Sequence, residues 1–134
     1  MPVRYILCVD DEKSVTDTLI SQLENAFGED YACEAAEDVD EAWEVLEDIQ
    51  EDGTLALVIS DWLMPKVKGD QFLKDVHEAW PQAPLIMLSG HADTEAVDEL
   101  RDIMPDFTFV RKPWSRDELM ALVSDKLGVG SKSA

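Results

Sequence analysis

The sequence predicts an α/β protein, a doubly wound parallel sheet of five strands with helices on both faces. Three observations predict it. Short apolar runs alternate with segments whose apolar residues recur at helical spacing. Three of the strand-like runs, at 5–9, 55–59 and 85–88, are apolar throughout, as strands buried on both sides are. At 134 residues, 46% hydrophobic and 31% charged, the chain has the size and composition of one domain with a single buried core.

The elements follow in order. Tyr5 to Val9 is an unbroken apolar run and predicts the first strand. Val15, Leu19, Leu23 and Phe27 recur every four residues and predict a helix, with Ser14 as its N-cap and Gly28 past its end. Tyr31 to Ala35 is a second, less apolar strand. Val39, Ala42, Trp43, Leu46 and Ile49 form the next helical stripe, and Leu55 to Ile59 is the clearest buried strand, stopped by Ser60 and Asp61. A loop holding Pro65 and Gly69 leads to a helix marked by Phe72, Leu73, Val76 and Trp80 and ended by Pro81. Leu85 to Leu88 is a fourth strand; Ala96, Val97 and Leu100 mark a short helix that Pro105 closes. Phe107 to Val110 is a fifth strand. Ser115 with Glu118 is a capping box for a last helix bearing Leu119, Leu122, Val123 and Leu127. The domain is expected to span residues 1–127, with 128–134 a flexible tail.

Charge narrows the function. The formal net charge is −19, from 30 acidic and 11 basic side chains. Such a chain is repelled by phosphate backbones and anionic lipid, so nucleic acid and membrane are not expected partners, whereas a divalent cation or a basic protein suits it. For most of the carboxylates a solvated acidic surface is explanation enough. The two cysteines, Cys8 and Cys33, lack metal-ligand spacing and sit in apolar runs, which predicts reduced core thiols. The apolar run at Tyr5 is too short for a leader or a membrane span, so a cytoplasmic protein is expected.

In doubly wound sheets, ligands bind beyond the carboxyl ends of the strands, where the strand order reverses. The residues at those ends are Asp10 and Asp11, then Asp61, then Ser89, Gly90 and His91, then Lys112 and Pro113. Singly, each is an ordinary residue at the end of a strand. Together they bring three carboxylates, a hydroxyl and a lysine to one sheet edge. Close carboxylates repel, and a hard cation such as Mg²⁺ relieves the repulsion through oxygen ligands. A lysine and a serine can hold phosphoryl oxygens, and a carboxylate can attack phosphorus to form an acyl phosphate. The set supplies what phosphoryl transfer requires.

Val9-Asp10-Asp11-Glu12, Ser60-Asp61-Trp62-Leu63-Met64-Pro65 with Gly69, Leu88-Ser89-Gly90-His91 and Lys112-Pro113-Trp114 together resemble the CheY-like receiver domains of two-component response regulators. The resemblance covers residues 3 to about 127. It implies a flavodoxin-like (βα)5 sheet in the order 2-1-3-4-5. It implies Asp61 as phospho-acceptor, and Asp11, Asp61 and the Leu63 carbonyl as Mg²⁺ ligands, with Asp10 assisting through water. Lys112 and Ser89 would hold the phosphoryl group, Phe109 would be the aromatic switch, and the Lys112–Pro113 peptide would be cis. Leu63 and His91 occupy positions that tune the lifetime of the phosphate. The implied donor is a histidine kinase or a phosphotransfer protein. The implied output is a changed surface of the fourth helix, fifth strand and fifth helix, through which a homodimer or a downstream partner would form. Trp114 stands where the family often has phenylalanine, and Ser89 is the serine alternative to threonine.

Rival readings fit less well. A haloacid-dehalogenase-type phosphatase would carry an aspartate where Glu12 stands. A flavodoxin-like electron carrier would need a hydroxyl- and glycine-rich loop after the first strand. A receiver-like interaction module working without phosphorylation would not need all five site residues, Asp10, Asp11, Asp61, Ser89 and Lys112. The resemblance implies no enzyme beyond the domain's own phosphorylation and dephosphorylation. Trp43, Trp80 and Phe72 read as core, His77 as a surface residue, and Trp62 and Trp114 as packing residues beside the site.

Overall fold

The computed structural model describes residues 3–61, 69–90, 94–104 and 107–128. Five parallel strands, β1 (Val3–Val9), β2 (Ala32–Ala36), β3 (Gly53–Ser60), β4 (Leu85–Ser89) and β5 (Thr108–Arg111), form one sheet in the order β2-β1-β3-β4-β5. The helices are α1 (Lys13–Phe27), α2 (Val39–Asp52), α3 (Gly69–Ala79), α4 (Thr94–Ile103) and α5 (Arg116–Leu127), with a short 3-10 turn at Gly28–Asp30. The chain steps outward from β1 to β2, then crosses back to β3 on the other side of β1. That reversal opens a crevice at the carboxyl ends of β1 and β3.

The sheet splits the core in two, which is why its three central strands, β1, β3 and β4, carry no polar face. Leu7, Val9, Val58 and Met87 pack towards α2, α3 and α4, against Leu46, Phe72, Val76 and Leu100. Ile6, Cys8, Leu57, Ile59 and Ile86 pack towards α1 and α5, against Leu19, Leu23, Leu119 and Val123. Each fully buried side chain of this size contributes about 1.5–3 kcal/mol. In β3 the alternation slips once. Tyr5 is matched with Leu55 but Ile6 with Leu57, which leaves Ala56 without a partner residue on β1. Ala56 and Leu57 consequently both lean towards the α1 and α5 face, as a bulge requires. At the start of β3, a Cβ on Gly53 would run into the carbonyl of Val3 and approach the Tyr5 ring, so only glycine lets β1 and β3 start side by side.

Helix ends explain where the sequence reading holds and where it moves. Asp38 caps α2 by accepting the Glu41 N–H at 2.8 Å, and Asp40 and Glu41 suit the positive end of the helix dipole. Ser115 caps α5, accepting the Glu118 N–H at 3.3 Å, and Gly128 ends it in the left-handed region at φ 76°. The expected Ser14 cap of α1 is not formed. The helix begins at Lys13 with Glu12 at the cap, because Asp10 Oδ1 accepts the Glu12 N–H at 2.9 Å and turns the chain sooner. Strand β2 begins one residue late, after Tyr31, and β5 after Phe107, whose N–H is spent on the Met104 carbonyl in a turn. Gly69 opens α3 rather than lying in the loop before it. Trp80 lies past the end of α3; its indole stacks on Trp43, centroids 6.2 Å apart, and Trp43 meets Phe72 edge-on at 5.7 Å. His77 is half-buried in the last turn of α3, not fully on the surface. Pro65, Pro105 and the tail from 129 to 134 lie outside the described residues.

Cys8 and Cys33 are free thiols on adjacent strands, matched with Ala35 and Ile6 respectively and so offset along the ladder. No helix among the described residues is long and apolar enough to cross a membrane.

Candidate functional site

Strand β1 runs straight into Asp10, whose N–H donates to the Ala36 carbonyl at 3.1 Å. Strand β3 runs into Asp61, whose N–H donates to the Val9 carbonyl at 2.9 Å. The sheet ladder thus continues one residue past each strand and fixes both carboxylates at its carboxyl edge. Both are buried, with 2% of Asp10 and 7% of Asp61 exposed, while Asp11 is open to solvent. One carboxylate oxygen from each of Asp10, Asp11 and Asp61 lies within 4.8 Å of the others. The Ser60 hydroxyl, fully buried, donates to the Asp61 carbonyl at 3.0 Å and steadies the backbone beneath the site.

Lys112, the first residue past β5, reaches across the sheet edge to this cluster. Its Nζ donates to Asp10 Oδ2 at 2.7 Å and lies 3.6 Å from Asp61 Oδ2. Burial opposes its charge and would lower its pKa. The Asp10 hydrogen bond and the negative charges of Asp10, Asp61 and Glu12 outweigh burial, so the net shift is upward. The lysine is therefore a fixed cation at neutral pH. Asp10 is held at both oxygens, by the Glu12 N–H and by Lys112.

The peptide between Lys112 and Pro113 is cis, as the resemblance implies. Trp114 next to it packs against the α1 and α5 core and donates its indole N–H to Gln22 Oε1 at 3.0 Å. Ser89 ends β4, matched with Arg111 on β5; its backbone is described and its side chain is not. Phe109 is half-buried, matched with Met87, its ring packed against the α2 to α4 core and 6.0 Å from the Arg111 guanidinium carbon. Trp62, Leu63 and His91 lie outside the described residues.

The fold therefore brings together four of the expected site residues, Asp10, Asp11, Asp61 and Lys112. Sequence reasoning missed three supports: the Glu12 N–H on Asp10, the Ser60 hydroxyl on the Asp61 carbonyl, and Gln22 on Trp114. The first two are legible in principle from adjacency. The third joins residues 92 positions apart and leaves no local signal.

Chemically, the cluster offers hard oxygen donors beside a held ammonium. Three carboxylates against one lysine leave an excess of negative charge in a partly buried crevice, a donor set that fits Mg²⁺ and not a thiophilic metal.

The chain as a whole is similar to known proteins. Residues 6–124 match the family model of the response regulator receiver domain. Response regulator Rre1 of Synechocystis is 32% identical over 139 aligned residues, which cover 96% of this chain and 57% of that protein. The hydrogenase transcriptional regulatory protein HoxA of Cupriavidus necator is 30% identical over 118, covering 88% of this chain and 23% of that protein. The chain thus spans about a quarter to just over half the length of these relatives. A receiver domain protein from Clostridium thermocellum has the same fold, with a TM-score of 0.81 at 21% identity, covering 98% of this chain and 100% of that one.

Proposed function

The chain belongs to the response regulator receiver domain family, and from that premise we propose that Asp61 is its phospho-acceptor. Receiver domains are in general phosphorylated on aspartate and bind Mg²⁺ at an acidic cluster. The observation that carries the assignment is the position of Asp61: buried at the end of β3, with Lys112 Nζ 3.6 Å away and Asp10 and Asp11 beside it.

Asp11, Asp61 and the Leu63 carbonyl would hold Mg²⁺, with Asp10 bound through water. The ion would supply charge neutralisation at the carboxylates and a hard Lewis acid for phosphoryl oxygens. Everything else is done by side chains of this chain. An Asp61 oxygen attacks the phosphorus of a phosphohistidine on a histidine kinase or phosphotransfer protein. A P–O bond forms, the P–N bond breaks, and the imidazole leaves. Lys112 pairs with a phosphoryl oxygen and the Ser89 hydroxyl takes another. The domain catalyses only its own aspartyl phosphorylation and dephosphorylation.

The acyl phosphate adds about −1.5 to −2 charges. Ser89 and Lys112 move onto it, Phe109 turns inward, and the surface of α4, β5 and α5 changes. That surface meets the downstream partner or a second copy of the chain. Reversing such an equilibrium from 1:99 to 99:1 requires about 5.5 kcal/mol of differential stabilisation. Leu63 and His91 set the phosphate lifetime, and the cytoplasm is the compartment that supplies the kinase. The test is intact mass after incubation with Mg²⁺ and acetyl phosphate. Wild type gains one phosphoryl group and Asp61→Asn does not; a folded, Mg²⁺-bound wild type that gains none returns the chain to a phosphate-independent interaction module.

A further inference from the structure

A hydrogen bond between Trp114 and Gln22 joins the chain segment after Lys112 to α1. Trp114 sits in the loop between β5 and α5, two residues after Lys112. Its indole N–H, a group that can only donate, reaches Gln22 Oε1 at 3.0 Å, and both side chains are half-buried. Gln22 lies on α1, the helix that starts directly after Asp10, Asp11 and Glu12. The two segments that carry the carboxylates and the lysine are thus tied twice, by Lys112 to Asp10 at 2.7 Å and by Trp114 to Gln22. A span of two residues reaches about 7 Å at most, so pinning Trp114 limits how far the Lys112 backbone can drift from the sheet edge. Phenylalanine in place of Trp114 would bury a similar ring but offer α1 no donor.

We infer that Trp114, held by Gln22, is a positioning residue that sets where Lys112 stands over Asp61 and so how tightly the site holds a phosphoryl group. This rests on the assignment of Asp61 and Lys112 above. Misplacing a catalytic group by about 1 Å can cost 10²-fold in rate, and one hydrogen bond controls a fraction of that.

The experiment titrates beryllofluoride, a phosphoryl mimic, by calorimetry at saturating Mg²⁺, with Mg²⁺ alone as the control. Trp114→Phe and Gln22→Leu are each expected to weaken beryllofluoride binding about 3- to 10-fold, the worth of one such hydrogen bond, and to leave Mg²⁺ binding unchanged. The double variant binds no more weakly than either single one, because both remove the same bond. Gln22→Glu, which keeps an acceptor, binds as wild type does. Wild-type affinity in both single variants, whatever their melting temperatures, overturns the inference, and so do additive losses. If Trp114→Phe fails to fold, Gln22→Leu and Gln22→Glu decide alone. A wild type that binds Mg²⁺ but not beryllofluoride sinks the Asp61 assignment itself, an outcome distinct from failure of the positioning role.

Discussion

Lys112 is paired more closely with Asp10, at 2.7 Å, than with Asp61, at 3.6 Å. The lysine rests on the carboxylate that is not the proposed acceptor. It has only a short swing to make when a phosphoryl group arrives on the other. The pairing also serves stability, because Asp10 has 3% of its side chain exposed and Lys112 is its cationic partner.

Lys112→Met should therefore lower stability by about 1–3 kcal/mol, the cost of leaving a buried charged acceptor without its donor. Asp10→Asn in the same background should recover part of that loss. Urea unfolding at pH 7 measures both, and a single Lys112→Met variant as stable as wild type would show the pair to be energetically idle.

Crowded carboxylates destabilise the metal-free fold. Mg²⁺ at about ten times its dissociation constant should add about 1.4 kcal/mol and raise the melting temperature by about 4 °C. Asp61→Asn should melt higher than wild type without Mg²⁺ and respond to it less. Thermal melts with and without Mg²⁺ check this; superimposable wild-type curves would count against the metal site.

The thiols give a pH dependence. Burial, with added charge from Glu24 and Glu34, pushes Cys33 from 9.0 up to about 11. Cys8, fully buried beside it, is raised further by burial and by Cys33. Both folded-state values lie above the unfolded ones. Their contribution is full below the unfolded pKa of 9.0 and is lost as pH rises towards 11 and beyond. Urea midpoints should fall between pH 8.5 and 10.5 by less in Cys33→Ala than in wild type, and iodoacetamide should react slowly with both thiols at pH 8.

Much of this molecule is legible along the chain because its central strands are buried on both sides and its site residues stand at the strand ends. Asp10 follows its apolar run directly, and Asp61 and Lys112 each stand one residue beyond theirs, after Ser60 and Arg111, so locating the runs locates the residues. What is illegible depends on partners far away or on competition for one hydrogen bond. Ser14 has the right side chain for an N-cap, but the Asp10 carboxylate takes the Glu12 N–H and starts α1 sooner. Phe107 is as apolar as a strand residue, yet Met104 claims its N–H. Trp80 keeps the period of α3 while leaving the helix to stack on Trp43. Apolar periodicity cannot show where a run carries one residue too many, which is why Ala56 gave no sign of its bulge.

That bulge bears on which changes of length the protein can survive. Leu55 and Leu57 face opposite sides of the sheet with Ala56 between them as a supernumerary residue. Removing Ala56 keeps Val58, Ile59 and Asp61 on their present sides, whereas removing Val58 turns one end of β3 over relative to the other. A single-codon deletion at 56 should yield a folded domain with its acidic edge intact, and one at 58 should not. In β3, then, tolerance to deletion peaks inside the apolar core rather than at the surface.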